Sequence, residues 1–348
     1  SRGLKANELN YSTLSSYGDE WVGVAYSGVL WESIRQATQI VSMLPTIEVP
    51  QGAESIVMPL ESTDPIWYKV AQATAMSSNP GGIATNTVTA SRLGTASSTM
   101  TLAKLGARVI WTGEMEEDSM VPFVSELRRQ LITSGAEYLE AAVIDGDTAP
   151  EATTNINYIV GTPGGSEYFM TVNGFRKLAL VTNTANSRDA GALTSADFLE
   201  TLKLMGTGGV NADKNKTGFI INSAVHWKAI ELADVKSKDI FSAATIENGF
   251  LAAIYGYPVY MSHHMHKAAT TRLALASGKV DGATPTNGTT GSILAVRWDQ
   301  WRFGYKRRMT IESTRIPAAD STEIVALMRF GLVNRDTEAS AISYNVTV

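Results

Sequence analysis

Cysteine is absent from this chain of 348 residues. Disulfide bonds, thiolate nucleophiles and cysteine-ligated metal sites are therefore excluded, and the fold must depend on packing or on association. Charged residues are also sparse, at 18%, against 44% hydrophobic residues, a composition typical of globular proteins. No apolar run in the sequence approaches the roughly 20 residues of a membrane-spanning helix.

Positive charge is in deficit, with 29 Lys and Arg against 34 Asp and Glu and a net charge of −5. Tight, sequence-independent binding of nucleic acid needs a basic stripe that neutralises phosphates, and the totals give no sign of one.

The first residue is Ser1 instead of methionine. Either a trimmed start or proteolytic removal of an upstream segment would explain that residue.

Motifs for catalysis are missing as well. The glycine-rich stretches match neither the phosphate-binding loop nor the dinucleotide fingerprint, and no serine occupies a nucleophile elbow. Three histidines cluster at His263, His264 and His266, but on a strand only the last two share a face. Two ligands without a cysteine or carboxylate make a poor zinc site. The sequence thus predicts no catalytic, cofactor-binding or metal-binding residue, and no cofactor.

Two charged runs remain. The acidic run contains Glu114, Glu116 and Glu117; it could form an acid–base pair, but a solvated helix start is the simpler interpretation. The basic run, RFGYKRR, is interleaved with aromatic residues as in a nucleic-acid platform. Strand alternation places Lys306 and Arg308 on the face opposite Arg307, which halves the basic patch. Pairing with an acidic helix start of another subunit explains the run at least as well.

Periodicity predicts the elements in the first part of the chain. Apolar residues at helical spacing predict a short helix over 29–44, ended by Pro45. Short β-type runs then flank a stretch that is rich in Ser, Thr and Gly and has almost no large apolar residue. This pattern predicts two strand arms joined by a flexible tip. The run MTLAKLGARVIW is either a second strand pair or one long strand. A two-stranded excursion is marginal alone in water, so we expect it to lie on a neighbouring subunit.

A long amphipathic helix is predicted over about 119–145, capped by Asp118 or Ser119, with the acidic run at its positive end. Asp145 and Gly146 supply a left-handed stop. Residues 147–185 are predicted to form a β-rich hairpin with its turn at Gly164 and Gly165. Helix and strand patterns then alternate over about 186–290, which indicates an α/β unit, and strand patterns dominate the last part.

The order of these parts resembles a known family. LAKLGARVIWTGEMEEDS runs into the long helix, and GYKRRMTIE and ALMRFGLVNRDTEASAIS close the chain. The chain resembles the major capsid proteins of tailed bacteriophages, which have the Hong Kong 97-type capsid fold, of class α+β. The resemblance implies an N-terminal arm (1–50), an extended hairpin loop (51–112), a peripheral domain with a spine helix (113–185), an axial domain (186–290) and a return to the peripheral domain (291–348).

The resemblance also implies a function and partners. The chain would assemble as hexamers and pentamers into the icosahedral shell around a double-stranded DNA genome, in the host cytoplasm, without a membrane. Portal, scaffold or maturation protease and decoration protein would be further partners, and contact with packaged DNA would be weak. The loss of the starting methionine fits cleavage by a phage protease. The expected contacts between subunits are Trp67, Lys69, Arg92, Glu114, Glu116, Glu117, Arg307 and Arg308.

Some members of the family join their subunits covalently through a loop lysine and an asparagine. Lys69 is a possible loop lysine, but the stretch STEIVALMRFGLV contains no asparagine. We therefore predict no isopeptide bond. Two other interpretations stay open: an encapsulin-like compartment, which shares the fold, and a ligand-binding protein or enzyme with its site in 186–290.

Overall fold

A computed structural model describes residues 38–69, 91–118, 123–210, 213–236, 245–247, 250–266, 273–284 and 288–348. The strands of these ranges are β1 Thr46–Glu48, β2 Ser55–Thr63, β3 Gly94–Thr101, β4 Ala103–Thr112, β5 Ser187–Asp189, β6 Thr217–Ile221, β7 Thr245–Glu247, β8 Phe250–Ile254, β9 Tyr257–Met261, β10 Thr290–Arg297, β11 Trp301–Ile316, β12 Ser321–Asn334 and β13 Ser340–Thr347. The helices are α1 Gly113–Asp118, α2 Phe123–Asp145, α3 Phe175–Lys177, α4 Ala196–Leu204, α5 Thr207–Val210, α6 Ser223–Glu231 and α7 Ala233–Lys236. The chain is therefore a mixed α and β protein, as the sequence predicts.

An antiparallel ribbon is formed by β2 and β3, with Ser55 opposite Thr101 and Thr63 opposite Gly94. The first predicted arm is confirmed as β2, but most of β3 lies in the stretch predicted to be the flexible middle, and the β-type run predicted from Ile66 forms no strand over 66–69. Residues 70–90 lie outside the described residues. At Leu102 the chain leaves the ribbon and continues as β4 in another sheet. The run MTLAKLGARVIW is not a strand pair, because β3 and β4 lie in different sheets; most of it forms the single long strand β4, and Met100 and Thr101 end β3.

One four-stranded sheet of the described ranges has the order β1-β11-β12-β4. Strand β1 runs parallel to β11, and the other pairs are antiparallel. Helix α2 covers one face, where its Leu131 packs with Trp111 of β4 and Ile324 of β12. Apolar residues at helical spacing on α2 and at alternate positions on β4 and β12 make this contact possible.

The other large sheet has the order β5-β13-β10-β6-β9-β8-β7 within the described ranges. The helix–strand alternation predicted for 186–290 is present: α4, β6, α6 and β9 follow one another, and β6 runs parallel to β9. Helix α4 buries Phe198 against Phe219 of β6, with ring centroids 5.2 Å apart. Strands β10 and β13 come from the last part of the chain, so this part supplies strands to both sheets; the domain boundaries stay a prediction.

The long helix is confirmed in part. Helix α2 has 23 residues, a length of about 35 Å at 1.5 Å per residue. The acidic run lies on α1, Gly113–Asp118, and not in the first described turn of α2. The acidic residue in the first turn of α2 is Glu126. The predicted cap Ser119 lies outside the described residues, as does most of the predicted helix 29–44, of which Val41–Met43 forms a 3₁₀ turn.

Gly146 ends α2 for a different reason than the one predicted. The φ angle of Gly146 is not positive, so the predicted left-handed stop is wrong. A Cβ atom built at Gly146 would lie 2.3 Å from the carbonyl oxygens of both Ala142 and Val172. The glycine is required because another backbone segment passes too closely for any side chain.

The predicted β hairpin over 147–185 is wrong. In place of strands, this stretch contains the 3₁₀ helix Tyr168–Met170, α3 and the π-helical turn Leu178–Thr182. Side chains take the place of a strand ladder: Asp147 accepts from the Ile156 amide at 2.8 Å, and Asn155 donates to the Ala149 carbonyl at 2.8 Å. Such local bonds compete with secondary structure, and no alternation of apolar residues reveals them.

Candidate functional site

The histidine cluster follows β9 as a turn, and its residues serve the fold. Both His264 and His266 are buried. The His266 ring Nε2 lies 2.5 Å from Ser292 Oγ, and its backbone amide donates to Asp145. Burial, with the nearby Arg176 guanidinium, holds the pKa of His266 well below 6.5, so the ring is neutral. Within the described ranges, no three His, Asp or Glu side chains are grouped as metal ligands.

A buried ionic junction lies where α2 ends. Arg176 Nε donates to Asp145 Oδ1 at 2.7 Å, and both side chains are almost fully buried. The other Arg176 nitrogens donate to the Gly278 carbonyl at 2.7 Å and to Asn157 Oδ1 at 3.0 Å. Lys177 forms a second ion pair with the buried Asp147. Because every charge here has a partner in the same chain, the junction fixes α2 against the loop 273–284 without help from another molecule.

Glu140 makes a second junction in the middle of the fold. Its carboxylate accepts from the Gln39 and Ile40 amides at 2.8 and 3.0 Å, and from Ser262 Oγ at 3.2 Å. Burial raises the pKa of this carboxyl above its ordinary value of 4.5, although the two amide hydrogen bonds act in the opposite direction. One carboxylate thus ties the N-terminal segment to both α2 and the end of β9.

The ribbon contrasts with these junctions because it is largely exposed. It is anchored by Met100, which is fully buried and fills the space above Gly304 and Gly331. Ser98 Oγ also donates to the Asn334 carbonyl at 2.9 Å. Beyond this base, Trp67 is 96% exposed, and Lys69 and Arg92 are exposed beside the undescribed tip. Ile66 and Tyr68 beside it are exposed too, and a contiguous exposed apolar patch is typical of a surface used in association.

The acidic residues lie on α1, at the end of β4. Glu116 accepts from Trp111 Nε1 at 3.0 Å. Glu114, Glu117 and Asp118 are exposed, and none of them forms an ion pair with another described residue. The helical spacing of these three carboxylates, at i, i+3 and i+4, places them on one face.

The basic run lies on β11 and departs from the predicted alternation. Lys306 and Arg307 line the same cavity, although alternation predicts opposite faces. The register of β11 against β12 shifts on both sides of Arg307, and a bulge of this kind turns a side chain away from the alternating pattern. Arg308 is exposed, 3.7 Å from Glu48 and with its guanidinium 5.7 Å from the centre of the Tyr305 ring.

The predicted contact residues therefore lie in three places. Trp67, Lys69 and Arg92 lie in the segments that flank the ribbon strands, after β2 and before β3; the glutamates are on α1, and Arg307 and Arg308 are on β11. Sequence reasoning missed Lys104 and Arg329, which line the cavity with Lys306 and Arg307. Only the strand register brings these residues together, and nothing in the local sequence marks them. No helix in the described ranges has the length and apolar character needed to cross a membrane.

Comparison with known proteins finds matches in structure but none to a family model or to a curated sequence. No family model matches the sequence, and no curated protein matches it. Solved structures do match. A chain of Gordonia phage Cozz is 14% identical, with 98% of each chain covered and a TM-score of 0.62. The capsid of a native GTA particle is 16% identical, with 96% of this chain and 98% of that chain covered and a TM-score of 0.61.

A third match is the capsid of the cyanophage P-SCSP1u, 14% identical, with all of both chains covered and a TM-score of 0.59. The structural neighbours are phage capsid proteins. The chain has their fold. The matches cover nearly the full length of both chains, so the likeness in fold extends along the whole chain although few residues are identical.

Proposed function

We propose that the chain is the major capsid protein of a tailed phage, the subunit that assembles into an icosahedral shell around double-stranded DNA. The observation that carries this proposal is a capsid fold matched over nearly the whole chain, combined with a ribbon whose outer part has no core of its own. In this proposal α2 is the spine helix of the peripheral domain, and 186–290 provides most of the axial domain. The role is structural and not enzymatic.

The exposed ribbon explains why assembly would be favourable. Strands β2 and β3 pair only with each other in the described part of the chain, so each leaves one backbone edge unpaired. Edges of this kind and exposed apolar groups such as Trp67 are satisfied by a second chain. Obligate interfaces commonly bury more than about 2,000 Å², and an arm and a ribbon that reach across neighbours supply such area from a thin subunit.

Partners follow from the same proposal. Hexamers and pentamers of the chain form the shell. Further partners are a portal, a scaffold or maturation protease and a decoration protein. Assembly takes place in the host cytoplasm, and the chain ends in the shell of the virion. Contact with packaged DNA is weak, since the net charge of −5 opposes it. The enzyme alternative has no support from a metal-ligand group among the described residues.

Negative-stain imaging and analytical ultracentrifugation of the purified protein test the proposal. We expect rings or closed shells that contain DNA when produced with the packaging machinery. A co-purifying cargo protein in place of DNA would indicate an encapsulin-like compartment. A monodisperse compact monomer at all concentrations would contradict a shell function of either kind.

A denaturing gel tests the linkage between subunits. We expect mature particles to dissolve into single-chain bands, because no asparagine is available for Lys69 in the stretch 321–333. A ladder of multiples that disappears in Lys69→Arg would contradict this prediction.

A further inference from the structure

A row of three cations crosses the four-stranded sheet. Lys104 of β4 lies opposite Arg329 of β12, and Arg329 lies opposite Arg307 of β11. Like charges directly opposite on neighbouring strands destabilise a sheet. A row of this kind is therefore a cost to the isolated chain, and it needs an anion to offset it. We call these three residues the basic row.

The cavity over the basic row has a volume of about 690 Å³ and is lined by Gln51, Leu102, Lys104, Lys306, Arg307 and Arg329, with no carboxylate among them. Lys306 donates to the Ala53 carbonyl. Arg307 Nε is buried without a hydrogen-bond acceptor in the described structure. None of the three cations of the row has an ion pair there.

Other cations of the same sheet are paired within the chain. Arg108 of β4 donates to Glu323 of β12 through two nitrogens, at 2.8 and 2.5 Å. Arg315 of β11 pairs with Asp320 at 2.9 Å. Within the described ranges, the chain therefore supplies carboxylates elsewhere on this sheet but not at the basic row. The row is open to an anion from another molecule.

The carboxylates of α1 match the row in number and are opposite to it in charge. Glu114 is three residues from Glu117 and four from Asp118, so it lies about 5–6 Å from each of them on one helical face. Adjacent strands lie about 4.8 Å apart, so successive cations of the row have nearly the same spacing. We call these three carboxylates the acidic face. Glu116 is already bonded to Trp111 and is not part of it.

The acidic face of one copy cannot reach the basic row of the same copy. Lys104 lies near the start of β4, and α1 begins directly after Thr112 at its end. Eight residues of extended strand separate them, a distance of about 26 Å at 3.3 Å per residue. A contact between the two surfaces must therefore join different copies, head to tail, and contacts of that type close into rings when the rotation permits.

We propose that the acidic face of each subunit binds the basic row of the next subunit in the ring. This inference rests on the proposed shell function and names the contact that orders neighbours within a capsomer. A phosphate chain of DNA is the rival occupant. The net charge of −5, and the equal number and opposite charge of the carboxylates on α1, favour a second copy of the chain.

Charge reversal with complementary mixing tests the proposal. Variant A carries Lys104→Glu, Arg307→Glu and Arg329→Glu; variant B carries Glu114→Lys, Glu117→Lys and Asp118→Lys. Each variant alone presents like charges at the contact, which oppose association. We expect the protein concentration needed for assembly to rise at least about tenfold for each, while circular dichroism and thermal unfolding show that each variant is folded.

Mixing A with B restores both contacts of a hexamer in which the two variants alternate, since the acidic row of A meets the basic face of B and the reverse pair is wild type. A pentamer cannot alternate, so we expect hexameric rings, seen by negative-stain imaging, and not closed shells. A single chain with all six reversals has the wild-type net charge and assembles alone; it is the matched control. Zero-length carbodiimide coupling of mixed ¹⁴N and ¹⁵N wild-type protein should join Lys104 to Glu114, Glu117 or Asp118 between copies.

The inference is overturned if A and B assemble like the wild type, or if mixing the folded variants restores nothing. Normal assembly of A with loss of DNA retention would assign the row to phosphate and would also overturn it. Wild-type protein that stays monomeric in the same assay contradicts the shell function itself, which distinguishes that failure from failure of the contact alone.

Discussion

The junction around Arg176 differs from the surface formed by the ribbon and the basic row. The charged side chains of the junction have partners within the chain, whereas those of the basic row have no counterion among the described residues. At the junction, a buried guanidinium finds a carboxylate, an amide and a carbonyl within its own chain. At the basic row, three cations face one another without a described counterion, and beside the ribbon Trp67 is in solvent. The difference separates what a subunit completes by folding from what it leaves for association.

The largest effect is expected from Arg176→Met, which breaks the junction. Removing one partner of a buried ion pair leaves the charge of the buried Asp145 without its cation, and such a change costs about 3–5 kcal/mol. Chemical unfolding of the dissociated protein measures it. The exposed pair of Arg315 and Asp320 offers the control, because Arg315→Met should cost less than about 1 kcal/mol. Equal losses in both variants would contradict a special role for the junction.

The next effect is expected at the base of the ribbon. Met100→Ala removes the side chain that fills the space above Gly304 and Gly331, and truncation of a buried methionine costs about 2–5 kcal/mol. We expect both a loss of stability and faster proteolysis of the ribbon. Val57→Ala, at an exposed ribbon position, is the control and should leave both unchanged. Unaltered proteolysis in Met100→Ala would show that the ribbon is held elsewhere.

A smaller, pH-dependent effect is expected at Glu140. Because burial raises its pKa, the folded state holds the proton more tightly than the unfolded state. The contribution of Glu140 to stability is therefore fully present below pH 4.5 and is lost as pH rises through the raised pKa. Each tenfold difference in proton affinity between the folded and unfolded states corresponds to about 1.4 kcal/mol. His266, with a lowered pKa, acts in the opposite direction.

Comparison with Glu140→Gln isolates this contribution, since His266 is common to both proteins. The stability of the wild type minus that of the variant should fall as pH rises above 4.5. A difference that does not change with pH, measured by chemical unfolding from about pH 4 to about pH 8, would contradict the assignment.

The smallest effect on stability is expected from Trp67→Ala. The side chain is 96% exposed, so the unfolding free energy of the dissociated protein should change by less than about 0.5 kcal/mol. Assembly, measured by sedimentation, should weaken. Val160→Ala removes another exposed apolar group outside the ribbon and is the control. Equal weakening of assembly by both would contradict a specific role for Trp67.

Elements with strong periodicity could be predicted from the sequence. Helices α2, α4 and α6 and strands β2, β6, β9, β11 and β12 all lie in stretches whose apolar spacing indicates them. The error over 147–185 arose because Asp147 and Asn155 bind backbone groups that a hairpin would use, and such bonds depend on side-chain placement. Local alternation does not contain that information.

The candidate site shows the same limit. The glutamates follow β4 on a helix, as local pattern indicates, but that helix is α1 and not α2, and Trp67 lies beyond the end of β2 and not in a strand. The basic row could not be predicted, because Lys104 meets Arg329 through a strand register between residues far apart in sequence. The bulge beside Arg307 also departs from strict alternation. Both facts are properties of the folded sheet and not of any segment within it.

Hydrogen exchange over β2 and β3, compared between dissociated and assembled protein, tests the central claim most directly. We expect the amides of Ser55–Thr63 and Gly94–Thr101 to exchange at least about tenfold more slowly after assembly, while those of the buried strands β6 and β10 do not change. Equal exchange of the ribbon in both states would contradict the claim that other copies complete the subunit.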